Sequence, residues 1–307
     1  MNVLIAADME GIAGIDHYGE CLPSHRTEYA RGRRLMTDET LVAIDALREA
    51  GIGGTITVGD WHMVGTNVER ERMPDGVRVR PIADLALEET EPSFAKANGG
   101  PLDAVVMIGH HACTTSRRAF CSHTFVWEME VLIDGEPLSE TQVYAQALAA
   151  EEVPILACAG DRWMLEDLDE GELGSARLVA TKEGQGRARA RSHGLAATRS
   201  QIAAAIGEAL ASPLQPPPRR EYPAEVTIRS EGEELSREMI SDPGELLTAV
   251  ATTFRTSRVS KDYRQLAKVL PAGEGSVLRG LQRGVGSVLA TPVMRSKERA
   301  WLAAAAS

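Results

Sequence analysis

Three apolar strands in this sequence each run out into residues able to hold a metal ion. Val3-Leu4-Ile5-Ala6-Ala7 leads into Asp8-Met9-Glu10-Gly11. Thr55-Ile56-Thr57-Val58 leads into Gly59-Asp60-Trp61-His62, and Ala104-Val105-Val106-Met107-Ile108 into Gly109-His110-His111. Asp8 and Glu10 are two apart, so in extended chain their side chains share one side. Such a pair can hold one ion, or one carboxylate can bridge two. Mixed carboxylate and imidazole ligands suit zinc or a similar divalent ion. His62 follows Asp60, a carboxylate placed to orient a metal-bound imidazole. His110 and His111 are adjacent and point opposite ways, so one is expected to face the site. His111 is the expected ligand and His110 a core or surface histidine. Solvated loop acids and satisfied histidines would explain any one strand end, but the pattern recurs on three.

Two further residues are less telling by themselves. His123 lies beyond His111 across a loop, where an unliganded histidine can act as general base or acid, though a lone loop histidine is more often a surface residue. Glu140 opens a helix, and an acid in a first turn commonly does no more than complement the helix dipole. Cys113 and Cys121 flank the same loop but lack the paired spacing of a cysteine zinc site.

The elements that must position these groups read as an α/β fold: an open, mostly parallel sheet flanked by helices, with a smaller α+β C-terminal subdomain. In such sheets ligands bind at the carboxyl ends of the strands, where all three clusters fall. Residues 29–50 read as helix, expected to break near Thr37, which could cap a second part carrying Asp38 and Glu39 in its first turn. Leu41, Ile44, Ala46 and Leu47 form its buried stripe, and Gly51 closes it. Further helices are expected at 85–97, 139–150, 196–210, 243–253 and 263–270. Further strands are expected at 125–133, 153–159 and 224–229, with Asp134-Gly135 a turn. Residues 67–81 read as irregular. Pro216-Pro217-Pro218 cannot continue a helix, which places boundaries at 1–212 for the metal-binding domain, 213–271 for the subdomain and 272–307 for a C-terminal extension.

Composition narrows the function classes. A formal net charge of −11 over 307 residues would repel nucleic acid and anionic membrane surfaces. The sequence shows no secretory signal and no run near the roughly 18 apolar residues of a spanning helix. Four cysteines without framework spacing read as reduced thiols, so a cytoplasmic location is expected.

Taken together, the segments Asp8-Met9-Glu10-Gly11-Ile12-Ala13-Gly14, Tyr29-Ala30-Arg31-Gly32-Arg33-Arg34-Leu35-Met36-Thr37, Gly59-Asp60-Trp61-His62, Gly109-His110-His111-Ala112, Ser122-His123 and Asp134-Gly135-Glu136-Pro137-Leu138-Ser139-Glu140 resemble the DppA-type D-aminopeptidases, zinc peptidases of family M55. The likeness spans about residues 1 to 270 and thins after the proline run. It implies two Zn2+ ions held by Asp8, Glu10, His62, His111 and Glu140, with Asp8 bridging and His123 serving in catalysis. It also implies a ring-like homo-oligomer and a short peptide or amide substrate. The sequence departs from the family pattern at His110, at Trp61 and in the loop carrying Arg117 and Arg118. Those departures touch substrate identity more than reaction type. Hydrolysis of a non-peptide amide, dinuclear phosphoester hydrolysis, or an inactive metal-binding scaffold stand as alternatives.

Overall fold

A computed structural model describes residues 1–63, 65–81, 92–257, 296 and 299–301. The apolar run near the amino terminus forms β1 (Val3–Ala7), every residue of it buried. Helix α1 (Arg26–Glu49) crosses back to β2 (Ile56–Asp60), which pairs parallel with β1. Then come β3 (Arg78–Pro81), α2 (Phe94–Asn98) and β4 (Ala104–His110). After a long loop, β5 (Met129–Ile133) and β6 (Glu136–Leu138) form a hairpin, with Asp134 and Gly135 both at positive φ in its turn. Helix α3 (Glu140–Ala150), β7 (Ile155–Asp161), α4 (Arg162–Glu166), β8 (Arg177–Gly184), β9 (Ala190–Ser192) and α5 (Leu195–Leu210) follow. Beyond the proline run lie β10 (Ala224–Ser230), β11 (Glu233–Ile240) and α6 (Pro243–Thr256).

Two sheets result. The larger has strand order β3-β2-β1-β4-β7-β8-β9, parallel except for the β8–β9 pair. The smaller, β11-β10-β5-β6, is antiparallel. Its strands β5 and β6 precede the proline run, and β10 and β11 follow it. Alternate residues of β1 separate two cores. Val3, Ile5 and Ala7 pack with Leu35, Ile44 and Leu47 of α1 and Ile202 and Ile206 of α5. Leu4 and Ala6 face the layer built from α3, α6 and the small sheet. Both faces of the parallel sheet are therefore covered, as such sheets require.

Helix α1 does not break at Thr37. Thr37 sits mid-helix, buried, its hydroxyl donating to the Arg33 carbonyl at 2.8 Å and accepting from the Glu69 amide at 3.0 Å. A threonine that bonds the carbonyl four residues back can stay inside a helix. Asp38, instead of sitting in a first turn, pairs with Arg72 and Arg199. The expected strand at 125–133 forms only from Met129, because Phe125 and Glu128 hold positive φ. Strand β3 falls inside the stretch expected to be irregular. The helices expected at 85–97 and 263–270 lie largely or wholly outside the described residues, as does most of 272–307. The four cysteines are free and buried. Among the described residues no helix is long and apolar enough to cross a membrane.

Candidate metal centre

Strand register brings the three clusters to one edge. Ala7 pairs with Asp60 on one side and Ile108 on the other, so Asp8, His62 and His111 emerge just past one row of the sheet. The crossing is tight at two glycines. A Cβ on Gly109 would lie 2.1 Å from the Asp8 carbonyl oxygen, and one on Gly11 would lie 2.1 Å from that of His110. Gly109 also holds φ +75°, a backbone state natural to glycine. Glu140 arrives from the other layer as the first residue of α3. Ser139 caps that helix, its hydroxyl accepting from the Gln142 amide while the Gln142 side chain accepts from the Ser139 amide, a reciprocal cap that fixes where the helix starts.

All six predicted site residues meet. His62 Nδ1 lies 3.1 Å from Glu10 Oε2 and 3.4 Å from Asp8 Oδ1. His111 Nε2 lies 3.3 Å from Asp8 Oδ2 and 3.6 Å from Glu140 Oε1. His123 stacks on His111 with ring centroids 4.2 Å apart, and its Nε2 lies 3.9 Å from Glu140 Oε1. Asp8, Glu10 and His111 form one potential ion-holding group, and His111, His123 and Glu140 another. Only His123 is appreciably open, at 12% side-chain exposure against 7% or less for the others.

The outward nitrogens explain why the inward ones are available. His62 Nε2 is 2.7 Å from the Cys21 carbonyl, His111 Nδ1 3.1 Å from that of Ala112, and His123 Nδ1 2.7 Å from that of Cys121. A carbonyl accepts only, so each ring carries its proton there when neutral and presents a bare nitrogen to the carboxylates. Outer bonds of this kind fix tautomer and orientation for metal ligation. His111 Nε2 makes no hydrogen bond although buried. It is aimed between two carboxylates rather than at either, as an ion-binding nitrogen would be. The donor set therefore fits zinc.

Electrostatics carry the same message. Burial would push the Asp8 carboxyl up, but the close imidazoles of His111 and His62 outweigh it and hold it well below the carboxylate range. Burial opposes charge on His62 and His111 too. The charge of Glu10 and contact with Asp8 nonetheless hold His62 well above its ordinary value. Contact with Asp8 and the charge of Glu140 raise His111 to about 10. Burial pushes Glu140 up to about 7 and, with the charge of His111, brings His123 down to about 3. The carboxylates thus draw positive charge to the inward nitrogens, while His123 stays neutral beside them.

Several contacts were not foreseen. Asp60 does not orient His62; its carboxylate accepts from the Asn67 and Val68 amides and the Asn67 side chain, shaping the loop after β2, and the Cys21 carbonyl takes the orienting role. Lys182 is buried in β8, its ammonium donating to the Glu10 carbonyl at 2.6 Å and the Ile15 carbonyl at 2.5 Å. It anchors the turn carrying the D-x-E pair. The Phe125 amide donates to Glu140 Oε1 at 2.6 Å and Tyr144 to Oε2 at 3.3 Å. The departures at Trp61 and His110 pack behind the site: Trp61 lies 4.7 Å from the Tyr144 ring, and His110 Nδ1 3.0 Å from the Thr141 hydroxyl. Arg118 is held by Asp167 and Trp163.

The sequence model of the M55 peptidases, described as D-aminopeptidase, matches residues 1–268. The chain belongs to this family. A curated relative, a D-aminopeptidase of Bacillus subtilis (strain 168), is 26% identical over 172 residues, covering 55% of this chain and 60% of that protein's length. The solved structure described as "Zn-dependent D-aminopeptidase DppA from Bacillus subtilis, a self-compartmentalizing protease" superposes with TM-score 0.68 at 22% identity. It covers 84% of this chain and 99% of that chain. At that identity the likeness establishes the shared fold.

Proposed function

We propose that this protein is a zinc-dependent aminopeptidase that releases amino-terminal D-residues from short peptides at a two-ion site. The observation that carries the reading is the placement of Asp8. Its Oδ1 faces His62 and its Oδ2 faces His111, so one carboxylate serves two adjoining ligand groups. Asp8, Glu10 and His62 would hold one ion, and Asp8, His111 and Glu140 the other. Zinc in such a site supplies Lewis acidity, lowering the pKa of water and polarising a carbonyl. His123 stands at the open side with a bare Nε2, placed to take a proton from water and return it to the leaving amine. The described self-compartmentalization of the related structure supports a homo-oligomer here.

The test is zinc content by mass spectrometry on protein purified without chelator, paired with cleavage of D-Ala-D-Ala and L-Ala-L-Ala. The same preparation is sized by light scattering. About two ions per 33.1 kDa chain, D-selective cleavage and a multiple of that mass are expected. Two ions without peptide cleavage would redirect the reading to another amide, and no bound metal after zinc addition would end it.

A further inference from the structure

The family match ends at residue 268, yet a side chain beyond it is buried in the body of the protein. Trp301 is 2% exposed. Its indole stacks on Trp127 with centroids 5.3 Å apart and planes 14° apart. It meets the Tyr18 ring edge-on at 6.4 Å, and the Arg187 guanidinium lies 5.5 Å from its ring centroid. Trp127 lies in the loop that carries His123, and Arg187 holds that loop.

That loop needs holding. Cys121, Phe125 and Glu128 sit at φ of 47°, 62° and 61°, left-handed states that non-glycine residues keep only where their surroundings impose them. On the inner side the loop is tied to the candidate site by the His123 ring, stacked on His111 and facing Glu140, and by the Phe125 amide on Glu140. On the outer side Arg187 donates to the Ser122 hydroxyl at 3.3 Å, to Glu128 at 2.8 Å and to the Thr114 carbonyl at 2.8 Å. Trp301 completes that outer side by covering Trp127 and the guanidinium.

We propose that Trp301 is a positioning residue for this active site: supplied from beyond the family match, it braces the loop of residues 121–128 and so fixes where His123 stands over the metal ligands. The inference rests on the reading of His123 as the proton carrier. A histidine held off by about an ångström transfers protons far less well, so the cost should appear in turnover more than in substrate or metal binding.

The experiment uses full-length Trp301→Leu, which fills space without stacking, and Trp301→Phe, which restores a ring. His123→Ala is run beside them. Trp301→Leu should lower kcat on the order of tenfold, with KM and zinc content near wild type, and Trp301→Phe should recover most of it. If Trp301→Leu does not fold, Trp127→Leu tests the same contact from its other side. Unchanged kcat in a folded Leu variant overturns the proposal. Retained turnover in His123→Ala would instead overturn the underlying role of His123, a distinguishable result.

Discussion

At the scale of single residues, what separates this site from a buried polar cluster is the direction of three imidazoles. His62, His111 and His123 each spend the outward nitrogen on a backbone carbonyl and bring the inward one to carboxylates, two of which already have other donors. Asp8 Oδ1 accepts from the Met9 amide at 2.7 Å, and Glu140 from Phe125 and Tyr144. The rings differ in depth. His111 lies between Asp8 and Glu140 at 2% exposure, whereas His123 is the open one, farther from its carboxylate. His111→Ala should therefore lose bound zinc together with activity. His123→Ala should keep its zinc and lose turnover by roughly 10²–10⁴-fold, the usual worth of a positioned acid–base group. Metal analysis and steady-state rates on the two variants decide it. Loss of an ion from His123→Ala would make that residue a ligand, a role its contact with His111 and Glu140 leaves open to it.

At the scale of elements, helix α1 lies behind the D-x-E turn and reaches it through Glu39. This carboxyl is 1% exposed; Oε2 accepts from the Ala13 amide at 3.1 Å, and Oε1 has no partner. Burial pushes it up to about 7, although the Ala13 amide, Lys182 of β8 and Arg199 of α5 pull the other way. The folded state thus binds the proton more tightly than the unfolded chain, whose value is near 4.5. Its contribution to stability is most favourable below about 4.5 and is lost as pH rises through about 7. Glu39→Gln should gain relative to wild type between pH 5 and pH 8, by about 3 kcal/mol at most. Urea unfolding of both proteins at the two pH values measures that difference, and a constant gap would remove Glu39 as its source. Such elements also show what the sequence makes legible. Continuous apolar runs mark β1, β2, β4 and β7, and their ends mark four ligands, because burial on both faces and strand-end placement are local properties. Glu140 is not legible alone, since a first-turn acid looks the same whether it caps or ligates; the family resemblance supplied it. Strand β3, with no fully buried residue, gives no apolar signal. The orienting carbonyl of Cys21, and Lys182 beneath Glu10, depend on contacts between distant parts of the chain.

At the scale of the whole molecule, the candidate metal centre joins parts that the backbone keeps separate. Asp8 and Glu10 follow β1, His62 follows β2 and His111 follows β4, all on the large sheet. Glu140 heads α3, which packs with α6 and the small antiparallel sheet in the other layer. An ion held by Asp8, His111 and Glu140, as proposed, would bind only when both layers are assembled, since the unfolded chain cannot gather ligands so far apart in sequence. Ligand that binds the native state alone stabilises it by RT ln(1 + [L]/Kd), about 4 kcal/mol at a thousandfold excess over Kd. Without the ion, Asp8, Glu10 and Glu140 remain crowded, relieved in part by protons drawn to His62 and His111. Chelation should therefore lower Tm by several degrees, and added zinc should restore it in proportion to the logarithm of free metal. In Asp8→Asn, where the shared carboxylate is gone, the chelator-induced shift should largely vanish while the fold persists. A Tm indifferent to chelator in zinc-loaded wild type would mean that the two layers hold without the ion, and that the converging residues do not cross-link them.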